Sequence, residues 1–186
     1  MTTDSRAAAP VVATMLLIAV VVVLSATISA TLLGAGSELR EPAPNVAQSS
    51  GAFVEQDGFD GGVVEITHLA GDTVAVADLE IAIDATDACG ERERLVNLPE
   101  DDGNAAGRFA DANVESGDIG ESIVSGGFGA DLGVLDSRTS NEFTAGSSVR
   151  FRLAGTDCPV DPGDRVVVRV VHVPSNAVLV TKRLTA

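Results

Sequence analysis

Hydrophobic positions are arranged in two different ways along this chain. Near the start they are continuous: no residue from Ala7 to Ser37 is charged, and Val11 to Leu33 is interrupted only by small or hydroxyl side chains. A hydrocarbon layer about 30 Å thick takes roughly 20 apolar residues in a helix, so this run predicts a membrane-spanning helix. It is too long for an ordinary secretory signal, whose apolar region is short and ends in a small-residue cleavage site. The helix is therefore expected to stay with the mature chain. The leader Met1 to Arg6 sets its single cation, Arg6, directly before the run, and the far flank Glu38-Leu39-Arg40-Glu41 is net acidic. By the positive-inside rule the N-terminus stays inside and the rest is exported.

Further along, the pattern alternates. Gly62-Val63-Val64-Glu65-Ile66-Thr67-His68 is a β-branched run closed by Gly71-Asp72. Thr73 to Val76 and Leu79 to Asp84 show the period of two expected of half-buried strands, with Leu79, Ile81 and Ile83 on one face. In Val149-Arg150-Phe151-Arg152-Leu153 the apolar residues face inward and both arginines outward. Asp161-Pro162-Gly163-Asp164 is a turn, proline presetting its corner. Arg165 to Val173 and Val178 to Leu184 follow as strands joined by a hairpin at Pro174-Ser175-Asn176-Ala177, the first so valine-rich that cover on both faces is expected. Residues 99–148 are rich in Gly, Asp, Asn and Ser, with short apolar runs at Ile123-Val124 and Leu132 to Leu135. Long surface loops with one or two short strands are expected there. No sustained helical period appears after Ser37.

This reading divides the chain into a leader at 1–7, a hydrophobic helix at 8–37, a Gly, Pro and Ser-rich hinge at 38–51 and an all-β head at 52–186. Several strands separated by turns suggest a β-sandwich. Along the helix, β-branched Val11, Val12, Ile18 and Ile28 alternate with small Ala13, Ala19, Ser25, Ala26, Ser29 and Ala30, on which other helices could approach closely.

Charge narrows the setting. Net charge is −15, and the bases comprise eleven arginines and a single lysine, Lys182. An acidic, lysine-poor surface suits a halophilic protein, because at 1 M salt a Debye length of about 3 Å screens its self-repulsion. The same balance argues against nucleic acid as a partner. The chain has no Trp or Tyr and six Phe, which removes the usual aromatic anchors of a lectin-like site.

Candidate chemistry is sparse. Cys89 and Cys158 each follow a Thr-Asp pair within a few residues; on an exported domain they most simply form one disulfide, the alternatives being two free thiols or a metal pair. His68 and His172 each lie within a strand candidate, and no Gly-x-Ser-x-Gly elbow or phosphate-binding loop accompanies them. Asp101-Asp102 could bind a cation, but the spaced ligand pattern of an EF-hand is absent. The expectation is a non-enzyme without cofactor or metal.

The residues around the processing point carry a resemblance. Arg6-Ala7 followed by Ala8-Ala9-Pro10-Val11-Val12-Ala13 resembles the N-terminus of archaeal type IV pilins, especially the haloarchaeal pilin-like proteins. There a basic and a small residue precede the cut, and a Ser-Pro-Val-Ile-Gly-like segment opens the helix. The resemblance implies a class III signal peptide cleaved between Ala7 and Ala8 by a prepilin peptidase. Ala9, Val12 and Ala13 depart from the usual Ser, Ile and Gly. Pro10 would then be the third residue of the helix, within the first turn, where a missing N–H costs nothing. Position five after the cut is Val12, not the glutamate of bacterial pilins. The family further implies an immunoglobulin-like head, and as partners copies of itself, other pilins and the pilus assembly machinery. The function expected is a filament subunit. The alternatives are a membrane-anchored binding module or minor pilin-like protein, and a surface hydrolase.

Overall fold

The uncharged run forms one helix, α1, spanning Ala8–Gly36. Its stretch Val11–Ser29 is long and apolar enough to cross a membrane. The computed structural model describes residues 8–36, 42–55, 61–100, 109, 111–116, 122–125 and 132–186. It divides into two units, Met1–Glu41 and Pro42–Ala186.

The second unit is built from antiparallel strands. Its four-stranded sheet contains β1 (Gln48–Glu55), β2 (Gly62–Ala70), β7 (Val124–Ser125) and β9 (Ser148–Leu153), in the order β1-β2-β9-β7. Its five-stranded sheet contains β4 (Leu79–Ala85), β5 (Glu91–Leu95), β6 (Val114–Ser116), β10 (Arg165–His172) and β11 (Ala177–Thr185), in the order β11-β10-β4-β5-β6. Two short strands, β3 (Val74–Ala75) and β8 (Glu142–Phe143), pair with each other.

Alternation explains the core. Val64 and Ile66 of β2 and Val149, Phe151 and Leu153 of β9 are buried from one sheet. Leu79, Ile81 and Ile83 of β4 and Val166, Val168 and Val170 of β10 are buried from the other, and all belong to one apolar cluster. Fully burying each such side chain contributes roughly 1.5–3 kcal/mol, so this shared core holds the two sheets together. At one margin Lys182 of β11 reaches β1, its Nζ donating to the Ser49 carbonyl at 2.7 Å. Gly51 lets the lysine stem pass: a Cβ there would stand 2.8 Å from Lys182 Cγ.

Several sequence expectations change. β1 occupies Gln48–Gly51, the last four positions assigned to the hinge, because its backbone pairs with β2 along its whole length. Residues 42–47 are irregular, yet Asn45 is clipped to the turn after β2: its N–H donates to Asp72 Oδ2, and the Asp72 N–H donates to the Asn45 carbonyl, each at 2.9 Å. The valine-rich β10 is fully buried on one face only; Val167, Arg169 and Val171 on the other are half-buried. Thr73 to Val76 is a strand for two residues before a 3-10 turn at Val76–Asp78.

The segment expected to be long surface loops with one or two short strands holds more than that. Between residues 99 and 148 its described parts hold β6, β7 and β8 and bury Phe109, Ile123, Leu135 and Phe143 in the core. The charged segment Glu91–Leu95, not expected as a strand, forms β5 because both its neighbours offer backbone partners.

Candidate functional site

The first candidate surface is α1. Ala8 and Pro10 hold its first and third positions; Arg6 and Ala7 lie outside the described residues. Val11, Val12, Met15, Leu16, Ile18 and Val20 to Val23 are all more than half exposed, so the helix is apolar around its circumference. Such a helix is stable only when lipid or other protein surrounds it. Its described hydroxyls are turned back onto the backbone. Thr14 donates to the Val11 carbonyl at 2.9 Å, Ser25 to Val21 at 2.7 Å, Thr27 to Leu24 at 2.8 Å and Ser29 to Ser25 at 2.8 Å. These bonds satisfy polar groups that would each cost several kcal/mol if left unpaired in hydrocarbon. Ala13, Ala19 and Ala26 lie within the helix, with Ala30 in its last third.

In the β-domain Cys89 and Cys158 form a disulfide, with Cα atoms 5.2 Å apart and a sequence separation of 69. It joins the connection from β4 to β5 within the five-stranded sheet to the connection from β9 to β10, which crosses between the sheets.

The two histidines lie one in each sheet. His68 is fully buried in β2, its Nδ1 donating to the Phe143 carbonyl at 3.2 Å and its ring packed 4.9 Å from that of Phe143. This bond fixes the proton on Nδ1 and aligns the ring with β8. His172 ends β10 with Nδ1 2.7 Å from Ser175 Oγ. That pair closes the turn into β11; no carboxylate is hydrogen-bonded to the ring among the described residues, so nothing orients His172 as a triad would require. Ser125 lies in β7. Asp101 and Asp102 fall outside the described residues, and among the described residues no three His, Cys, Asp or Glu side chains are grouped to hold a metal ion.

The outer face of the five-stranded sheet carries most of the organised charge. Strand register places Arg169 opposite Ala82, Ala82 opposite Arg94 and Arg94 opposite Glu115. In the next row Val167 lies between Arg183 and Asp84, and Asp84 is opposite Arg92. Arg94 pairs with both Glu80 and Glu115, the latter at 3.0 Å, and Arg92 pairs with Asp84 at 3.3 Å. The Thr86 hydroxyl is the largest influence holding the Asp84 carboxyl below its ordinary pKa; burial opposes it, and the Thr86 N–H and then Arg92 add to the lowering. Because Ala82 is short between long arginines, an open cleft of about 540 Å³ forms there, lined also by Arg92, Glu115 and Arg169. Sequence reasoning missed this site: its arginines come from separate strands, and only sheet register brings them together.

Glu93 lies on the opposite side of β5 and is 3% exposed. Its carboxylate accepts the Ser122 hydroxyl and the Ile123 N–H, each at 2.6 Å. Burial raises its pKa, and the bonds from Ser122, Ile123 and Val124 oppose the rise. The Glu93 carboxylate is a structural tie between the two sheets.

A single apolar N-terminal helix able to span a membrane, followed by an antiparallel β-domain, is the architecture of a membrane-anchored protein. No protein-family model matches the chain, and no curated protein is significantly similar to it.

Proposed function

We propose that this chain is the structural subunit of an archaeal type IV pilus-like surface filament. A prepilin peptidase cuts between Ala7 and Ala8, and α1 then packs beside its copies in the filament core. The single observation that carries this reading is a helix apolar around its circumference, with every described hydroxyl bonded back to its own backbone. A lone anchor needs length; a packed core also needs places where helices come close. Ala19 and Ala26 recur seven residues apart, so they share one stripe of α1.

The strand orders support an immunoglobulin-like head. Read as A-B-E-D for β1-β2-β9-β7 and G-F-C-C′-C″ for β11-β10-β4-β5-β6, they follow the variable-type arrangement of such sandwiches. The acidic composition supports exposure of this head to concentrated salt. The precursor sits in the cytoplasmic membrane with its N-terminus inside; after processing the subunit belongs to the cell surface. Its partners are its own copies, other pilins, the peptidase and the assembly machinery, and its role is structural rather than catalytic.

N-terminal sequencing of the mature protein tests the scheme. Ala8 as first residue, and loss of processing on Arg6→Ala, are expected; a mature chain beginning at Met1 ends the proposal. The second reading, a membrane-anchored binding module or minor pilin-like protein, is favoured by the cleft beside Ala82. Purified surface filaments decide between them, since this chain is their bulk component only in the first.

A further inference from the structure

We propose that the outer face of the five-stranded sheet docks the acidic end of a second copy of this chain. The chain as a whole carries net charge −15, yet on this face Arg92, Arg94, Arg165, Arg169 and Arg183 stand against Glu80, Asp84 and Glu115. Arg92 and Arg94 are neutralised within the face. Arg165, Arg169 and Arg183 have no carboxylate within ion-pairing distance among the described residues. Arg169 is half-buried at the cleft floored by Ala82, where a carboxylate entering from outside meets a guanidinium partly shielded from salt.

The complementary surface lies at one end of the same domain. Residues 86–90 and 154–164 contain Asp87, Asp157, Asp161 and Asp164 and no Lys or Arg. The Cys89–Cys158 disulfide fastens these two connections side by side, so their charge is presented as one rigid patch. Two different patches of one molecule then meet, and where the contact is heterologous it continues from copy to copy instead of closing as a two-fold dimer. Copies anchored in one membrane also meet at high effective concentration. This contact is between heads and does not depend on how α1 packs.

The full chain in detergent micelles, with photoreactive benzoylphenylalanine in place of Thr181, tests the contact. Thr181 is exposed and directly opposite Arg169. Illumination is expected to give a dimer whose cross-link maps to residues 86–90 or 154–164. Arg169→Glu with Arg183→Glu in the probe-bearing copy should lower the yield at least fivefold. Mixing that copy with one carrying Asp87→Arg and Asp161→Arg should restore the yield to within twofold, provided both retain their unmodified melting temperatures. Absence of a cross-link, a map to any other segment, or no recovery in the mixture overturns the proposal, as does cross-linking in native membranes to a different protein alone. Filaments without the cross-link would reject this contact and leave the pilus reading standing; the cross-link without filaments would do the reverse.

Discussion

The Ile123 N–H donates a 2.6 Å hydrogen bond to Oε2 of Glu93, thirty residues earlier in the chain. The bond joins β5 of one sheet to the start of β7 in the other, through a carboxylate almost wholly removed from water. A buried donor that loses its acceptor costs about 1–3 kcal/mol, beyond the packing lost with the side chain. Glu93→Ala should therefore lower unfolding free energy by more than a surface Glu→Ala such as Glu115→Ala, as measured by urea denaturation. Equal effects would show that the tie contributes nothing.

Acid and base act on Glu93 in a definite direction. Burial raises its folded-state pKa above the ordinary value of 4.5. The folded protein therefore holds this proton more tightly than the unfolded chain, and its contribution is fully present below pH 4.5 and declines as pH rises through the folded pKa. Asp84 has the opposite sign: its pKa is lowered from 3.8, so its contribution is present above that pH and fades as pH falls through the folded pKa. Stability of Glu93→Gln relative to wild type should rise between pH 4.5 and neutrality. A pH-independent difference would contradict this.

Lys182 and Gly51 close the margin between β1 and β11, and their substitutions should be coupled. Gly51→Ala places a methyl 2.8 Å from Lys182 Cγ and 3.1 Å from Leu184 Cδ2. Overpacking of this kind costs about 1–3 kcal/mol. In a Lys182→Ala background, where the stem is gone, the cost should fall by about half. Simple additivity in a double-mutant cycle would argue against the contact.

The connector before β1 depends on Gly71. Its φ is +132°, and a Cβ would lie 2.3 Å from the Asn45 carbonyl oxygen and 2.7 Å from Ala47 N, both backbone atoms. Gly71→Ala should break the reciprocal Asn45–Asp72 clip and raise the rate of proteolytic cleavage within residues 42–47 at least tenfold, while cleavage elsewhere in the β-domain changes far less.

Cys89 and Cys158 enclose a long loop, so their disulfide restricts the unfolded chain strongly. By loop-closure entropy it contributes about 4 kcal/mol. For a domain of this size that corresponds to roughly 10 °C in melting temperature. The double variant Cys89→Ala, Cys158→Ala should melt lower by about that amount; an unchanged melting temperature would mean the bridge constrains little.

Strands were legible where alternate side chains are buried. Leu79, Ile81 and Ile83, and Val149, Phe151 and Leu153, declare a buried face because burial selects apolar residues at every second position. β1 and β5 were not, for a shared reason. Gln48–Glu55 is mostly exposed and Glu91–Leu95 is mostly charged, so each is held in its sheet by backbone pairing that leaves little mark on side-chain type. Phe109, Ile123 and Phe143 are separated by polar stretches and show no period, although all three are buried. The site beside Ala82 was illegible because register, not spacing, assembles it.

The sequence by itself determined an apolar helix, the edge motif before it and an all-β head, because a continuous uncharged run and a period of two are local signals that need no partner to be read. Only the tertiary structure decided that Glu93 bridges two sheets, that the connector is clipped at Asn45, and that five arginines of an acidic chain gather on one face. Each of these depends on which strands become neighbours, and that is set by packing between residues far apart in the chain.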